Sequence, residues 1–164
     1  DPTISCTNGN INTIGSIWRT GSIYDALLKG GTKYNRLTDK FIKHGTWIKN
    51  YLSNSENITL FAPTNNALAV GDKWWDAFME YTYIENPFLE KVILKGYIVD
   101  EIININEISD ERTIMNTLST RPLFIKNFGG YITANRDGVV PTGINCSNGI
   151  IYSLDTASDI IRLT

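Results

Sequence analysis

The carboxylates are the first residues in this sequence that could do chemistry. Asp100-Glu101 is followed closely by Glu107, Asp110 and Glu111. Two carboxylates at a suitable separation can run acid–base hydrolysis, and a larger set can surround Ca²⁺. The EF-hand order of ligands is absent, however, and nothing beside these residues would hold one of them protonated. A solvated acidic surface is the plainer reading. His44 is the only histidine. It precedes Gly45 at an expected helix end, where a cation is mildly favourable beside the last carbonyls. One histidine builds neither a triad nor an imidazole metal site. Gly30-Gly31 and Gly129-Gly130 lack the residues that complete a phosphate loop. No catalytic residues, metal ligands or cofactor are predicted.

Cys6 and Cys146 are the only cysteines, and two readings stand. They are two free thiols, or one disulfide that would stabilise by about 4–5 kcal/mol through loop closure. Their separation fits neither a zinc site nor a redox CxxC. Asn57-Ile58-Thr59 is an N-glycosylation sequon, and formally Asn145-Cys146-Ser147 is another. Trp74-Trp75 with Tyr81 and Tyr83 reads as helix-packing core, with an aromatic binding face as the alternative.

A chain of 164 residues, 42% hydrophobic and 20% charged, suits one globular domain with a real core. Net charge is −2 without a basic block. That argues against nucleic acid, which needs clustered cations. No apolar run reaches the length of a membrane span, so no direct membrane insertion is expected of this segment. The chain begins at Asp1, and a processed form of a precursor with a signal peptide is expected.

Several elements must position whatever the chain uses. Residues 1–13 are polar and turn-rich and read as an arm. Ser22 caps a helix with Asp25 as its capping-box partner, and Gly30-Gly31 stops it. Further helical patterns run from Lys33 to His44, through Trp47-Ile48-Tyr51-Leu52, through Trp74-Trp75-Phe78-Met79, and through Phe88-Leu89-Val92-Ile93. Extended segments follow at Tyr97-Ile98-Val99, at Ile102-Ile103 and from Thr113 to Leu118. Leu123–Asn127 and Tyr131–Asn135 flank Phe128-Gly129-Gly130 as a hairpin. Asp137-Gly138 marks a turn. Asn148-Gly149, between Ile144-Asn145-Cys146 and Ile150–Leu154, predicts a hairpin whose two turn residues both take positive φ. Helices dominate the first half and strands the second, which predicts an α+β fold.

One stretch, Asn57 to Leu68, is the densest local instruction. Ile58–Phe61 suits a half-buried strand. Pro63 ends the strand by removing a ladder donor, and Thr64 or Asn65 caps a helix opened by Ala67-Leu68. Thr59-Leu60-Phe61-Ala62-Pro63-Thr64-Asn65-Asn66-Ala67-Leu68 also resembles the first signature of the fasciclin-1 (FAS1) domain family. Asn148-Gly149-Ile150-Ile151-Tyr152-Ser153-Leu154-Asp155 resembles its second. Ile23–Leu28, Leu94–Val99 and the segment from Thr117-Leu118 to Arg121-Pro122-Leu123 match weaker family segments in the same order. The resemblance covers residues 14–164 and implies a single domain: a compact wedge of two small β-sheets bordered by helices.

It further implies an extracellular, cell-surface or envelope-associated module, without cofactor or catalysis, that binds a surface or matrix protein or a glycan in adhesion. By position, the candidate partner-binding residues are Tyr97, Gly143, Ile144 and Tyr152. Two departures stand out. Tyr97 and Tyr152 each occupy a place where the family carries histidine. Gly143-Ile144 occupies the place of an Asp-Ile pair that relatives use towards integrins, so the carboxylate that would complete a metal's oxygen shell is missing and integrin contact is doubtful. Two other readings remain: a cleft near Tyr97 and Trp74-Trp75 for a small apolar ligand, and a hydrolase built on Glu107 and Asp110.

Overall fold

A computed structural model describes residues 3–6, 9–12, 21–43, 46–70, 92, 94–135 and 137–154. The expected helix at Trp74–Met79, most of the Phe88–Ile93 segment, His44, Gly45 and Asp155 lie outside the described residues. Strands β1 (Thr3–Cys6) and β2 (Gly9–Asn12) pair antiparallel, with Cys6 opposite Gly9.

Three helices come next: α1 (Ile23–Lys29), α2 (Asn35–Lys43) and α3 (Thr46–Asn54). The capping box of α1 forms as the sequence predicts. Ser22 Oγ accepts from the Asp25 N–H at 3.2 Å, and Asp25 Oδ2 accepts from the Ser22 N–H at 3.0 Å. Gly30 closes α1 by donating to Ala26 O, and Gly31, at φ 47°, turns the chain into a short 3-10 segment ahead of α2. Ile23, Leu27, Leu37, Phe41, Ile48 and Leu52 point from these helices into one core.

Two four-stranded sheets complete the wedge. The first has the order β4-β3-β10-β9, from β3 (Ile58–Pro63), β4 (Ile98–Val99), β9 (Ile144–Cys146) and β10 (Gly149–Leu154). The second has the order β5-β6-β7-β8, from β5 (Thr113–Met115), β6 (Leu123–Phe128), β7 (Tyr131–Ala134) and β8 (Asp137–Gly138). They are stitched together at two corners by bridges between Val99 and Thr117 and between Val139 and Leu154. Helix α4 (Asn65–Val70) follows β3 directly.

Three local expectations are corrected. Strand β3 is buried along its whole length rather than half-buried. Pro63 ends it as expected, opposite Leu154, where a missing donor is tolerated. Asp137-Gly138 is a strand, and the turn before it contains Asn135, whose φ is 56°. The last hairpin is displaced by one residue. Ser147 and Asn148 form its turn, Gly149 opens β10 opposite Cys146, and neither Asn148 nor Gly149 has positive φ. The β6–β7 turn, by contrast, behaves as expected, with Gly129 and Gly130 at φ 61° and 98°.

Candidate functional site

The two signature stretches, far apart in sequence, are adjacent in space. Strands β3 and β10 run parallel in the centre of the first sheet, with Ile58 opposite Gly149 and Phe61 opposite Tyr152. The Phe61 and Tyr152 rings stack with centroids 5.8 Å apart. Gly149 is required by this closeness, since a Cβ there would sit 2.0 Å from Ile58 O.

The polar side chains of the pair are occupied within the fold. Asn148 Oδ1 accepts from the Ile23 N–H at 2.8 Å, and Nδ2 donates to Leu52 O and Ser55 O at 2.9 and 2.8 Å. One amide thus satisfies the first turn of α1 and the end of α3, groups that helix termini leave without partners. Thr59 Oγ1 donates to Glu101 O at 2.7 Å and accepts from the Ile103 N–H at 2.9 Å. The Tyr152 hydroxyl donates to Ile103 O at 3.0 Å and accepts from the Ile105 N–H. Thr64 is the N-cap of α4, accepting from the Ala67 N–H at 3.2 Å. Asn65 plays a different part. It accepts from the Arg36 N–H and donates to Thr32 O and Asn35 Oδ1, tying the start of α4 to the start of α2. Ala62 is fully buried. Signature residues 59–65 and 148–152 are therefore ties of the fold.

The four residues expected to meet a partner fare differently from one another. Tyr97 is 1% exposed and Tyr152 3%, so neither presents a contact surface. Burial, reinforced by the nearby Asp137 carboxylate, raises the Tyr97 hydroxyl well above the usual tyrosine range. Gly143 is a packing residue, because a Cβ there would meet Ile150 Cδ1 at 2.7 Å and Tyr152 Cε1 at 2.9 Å. The place of the relatives' aspartate is filled by neighbouring side chains. Only Ile144, 37% exposed on the edge strand β9, faces solvent.

The remaining chemistry reads as structure. Cys146 is a free thiol, pushed up to about 11 by burial and the Asp25 carboxylate, and the side chain of Cys6 lies outside the described residues. Glu107 accepts from Asn104 Nδ2 at 2.6 Å in an exposed turn. No group of three or more His, Cys, Asp or Glu among the described residues could hold a metal ion. Ser153 Oγ lies 2.9 Å from Lys33 Nζ and 2.6 Å from the Tyr34 hydroxyl, a set that could activate a nucleophile. At 2% exposure, though, Ser153 is out of a substrate's reach, and the trio ties β10 to the end of the 3-10 turn. Asn57 is exposed at φ 57°, just before β3.

The surface that the sequence reading missed is the outward face of the second sheet. On β6, Leu123 and Ile125 point inward while Phe124, Lys126 and Phe128 point outward. Ile114 lies opposite Phe124, and Tyr131 opposite Phe128. Ile114, Phe128 and Tyr131 are 61%, 55% and 60% exposed. The Arg112 guanidinium sits 3.6 Å from the Phe124 ring centroid, and Lys126 Nζ 4.4 Å from that of Phe128. The alternation along Leu123–Phe128 was the signal available for this face.

The fold is an α+β wedge of two small sheets bordered by helices, with the signature side chains engaged inside it. The chain belongs to the fasciclin family: the model of the Fasciclin domain matches residues 38–157. Fasciclin domains are associated with cell adhesion, are generally non-enzymatic and are typically extracellular or surface-associated. Among solved structures, the chain is similar to a FAS1 domain pair from the insect cell adhesion molecule Fasciclin I. The TM-score is 0.65 at 19% identity, covering 93% of this chain and 56% of that one. At that identity the likeness shows the fold, and the chain spans little more than half of its relative's length. No protein of curated function matches the sequence.

Proposed function

We propose that the domain, residues 14–164 with 1–13 as an N-terminal arm, is a non-enzymatic interaction module. It acts outside the cell or on a cell or envelope surface and binds a surface or matrix protein or a glycan. The observation that carries this reading is the contrast between signature side chains spent on the fold and an exposed aromatic face left over. Asn57, on an exposed turn, is the expected attachment point if the module is glycosylated. For the small-ligand reading, Tyr97 is buried and Trp74-Trp75 lies outside the described residues. Integrin contact through Gly143-Ile144 is not part of the proposal, because no carboxylate is present there.

Immobilised protein tests the reading. Attachment of cells, matrix proteins or glycans from a broad array is expected, with no turnover of ester, glycoside or peptide substrates. Absence of any attachment across that array, or hydrolysis lost on substituting Glu107 or Asp110, would overturn it.

A further inference from the structure

The sequon Asn57-Ile58-Thr59 straddles two environments. Asn57 is exposed in the bend that joins α3 to β3, at φ 57°, a left-handed conformation that asparagine tolerates. Among the described residues its side-chain amide has no hydrogen-bond partner, whereas the amides of Asn65 and Asn148 are engaged. Two residues on, Thr59 is fully buried in β3. Its hydroxyl, which the sequon requires, donates to Glu101 O and accepts from the Ile103 N–H.

We infer that Asn57 carries an N-linked glycan and receives it on the growing chain, before β3 is paired. The inference rests on the reading of the domain as an extracellular module, because the donor is met on the secretory route. That donor is an oligosaccharide joined through a diphosphate to a lipid. Asn57 Nδ2 bonds to the anomeric carbon of the first sugar. The bond from that carbon to the diphosphate oxygen breaks, and the lipid diphosphate leaves with the electron pair. Nδ2 gives up one proton, and nothing is oxidised or reduced.

In the folded domain the Thr59 hydroxyl is closed off, so the transfer belongs to an earlier stage. The groups that close it are made late. Glu101 and Ile103 lie 42 and 44 residues beyond Thr59, roughly 2–9 s of synthesis at about 5–20 residues per second. Strand β10, which pairs with β3 from Gly149 onward, emerges later still. Until then the sequon is an unpaired stretch open to the transferase. Folding afterwards consumes the hydroxyl and leaves the Asn57 amide at the surface. Thr59 thus serves twice, first in recognition and then as a tie between β3 and the segment after β4. The second sequon, Asn145-Cys146-Ser147, lacks that interval. Cys146 pairs with Gly149 and Asn145 with Ile150, only a few residues on, and a hairpin closes in about 1–10 µs. Occupancy at Asn57 therefore exceeds that at Asn145.

The full chain, secreted from animal cells behind a supplied signal peptide, tests this apart from the natural location. Peptide-N-glycosidase F converts a glycosylated asparagine to aspartate. It should increase the gel mobility of the secreted protein and mark Asn57 in its peptide map. Asn57→Gln should abolish the mobility step from that site. So should Asn57→Gly, which keeps the left-handed backbone without strain. Thr59→Ser retains the hydroxyl and should retain the glycan. The same chain made without a signal peptide and folded first should stay unmodified when given the solubilised transferase and its donor. A secreted, folded chain bare at Asn57, higher occupancy at Asn145 than at Asn57, or modification of the already folded chain at Asn57 would overturn the inference. A glycan at Asn57 on a protein that attaches to no cell, matrix protein or glycan would leave the inference standing and end the proposed function. A bare Asn57 with attachment intact would do the reverse.

Discussion

The central β3–β10 pair and the outward face of the β5–β8 sheet are built from similar residue types and put to opposite uses. Both hold aromatic rings and hydrogen-bonding side chains. In the pair, the rings of Phe61 and Tyr152 stack inside the core, and Thr59, Asn148 and Tyr152 spend their polar atoms on backbone groups. On the face, Phe128 and Tyr131 are more than half exposed, and the nearby cations rest on rings. The difference lies in what each side chain has left to offer. A buried group whose donors and acceptors are all engaged contributes stability and little recognition. An exposed ring beside a preorganised cation contributes little stability and has its contacts free for a partner. The residues that identify the family are here spent on the fold.

The contrast can be broken by substitution. The largest expected effect is Phe61→Ala, which removes a fully buried ring from the pair and should cost about 3–5 kcal/mol in urea unfolding. A loss below about 1 kcal/mol would mean the ring is not held as described. Tyr152→Phe keeps the stacking and removes the hydroxyl bridging Ile103 and Ile105, so about 1 kcal/mol is expected. Phe128→Ala, on the exposed face, should change stability by no more than about 0.5 kcal/mol while weakening attachment. A large fall in thermal midpoint there would show that the face packs against something.

The thiol of Cys146 offers a pH-dependent check. Its pKa rises from 9.0 in the unfolded chain to about 11 in the fold, chiefly through burial, with Asp25 adding to it. The thiolate is thus disfavoured by folding. The associated stability is fully present below pH 9 and is lost as pH rises towards 11. At pH 8, reaction of the native thiol with a disulfide reagent should be about a hundredfold slower than that of a free cysteine, since the thiolate is the reactive form. Reaction at the free-cysteine rate would contradict the burial, and no reaction even after unfolding under non-reducing conditions would indicate that the thiol is bonded.

Much of the fold was legible because its signals are local. The Ser22–Asp25 capping box and the Gly129-Gly130 turn follow from side-chain reach and backbone sterics within a few residues. The order of helices and strands could be read the same way. The parallel pairing of β3 with β10 could not, since no periodicity in either strand names its partner. Nor could the role of Gly149, which depends on the approach of Ile58 O rather than on a turn angle. Tyr97 and Tyr152 were open in principle, because a tyrosine suits both a core with a polar neighbour and a binding surface. That Phe124, Lys126 and Phe128 share a side follows from the two-residue period of a strand, whereas which side faces outward is set by packing, with Leu123 and Ile125 buried.

The most direct test of the central claim is the urea unfolding of Asn148→Ala. If the second signature holds the fold, this variant loses the amide that serves Ile23, Leu52 and Ser55. The unfolding free energy should then fall by about 2–3 kcal/mol, while attachment per folded molecule stays at the parent level. An unchanged midpoint together with lost attachment would show instead that Asn148 faces the partner, and the division between the two regions would be wrong.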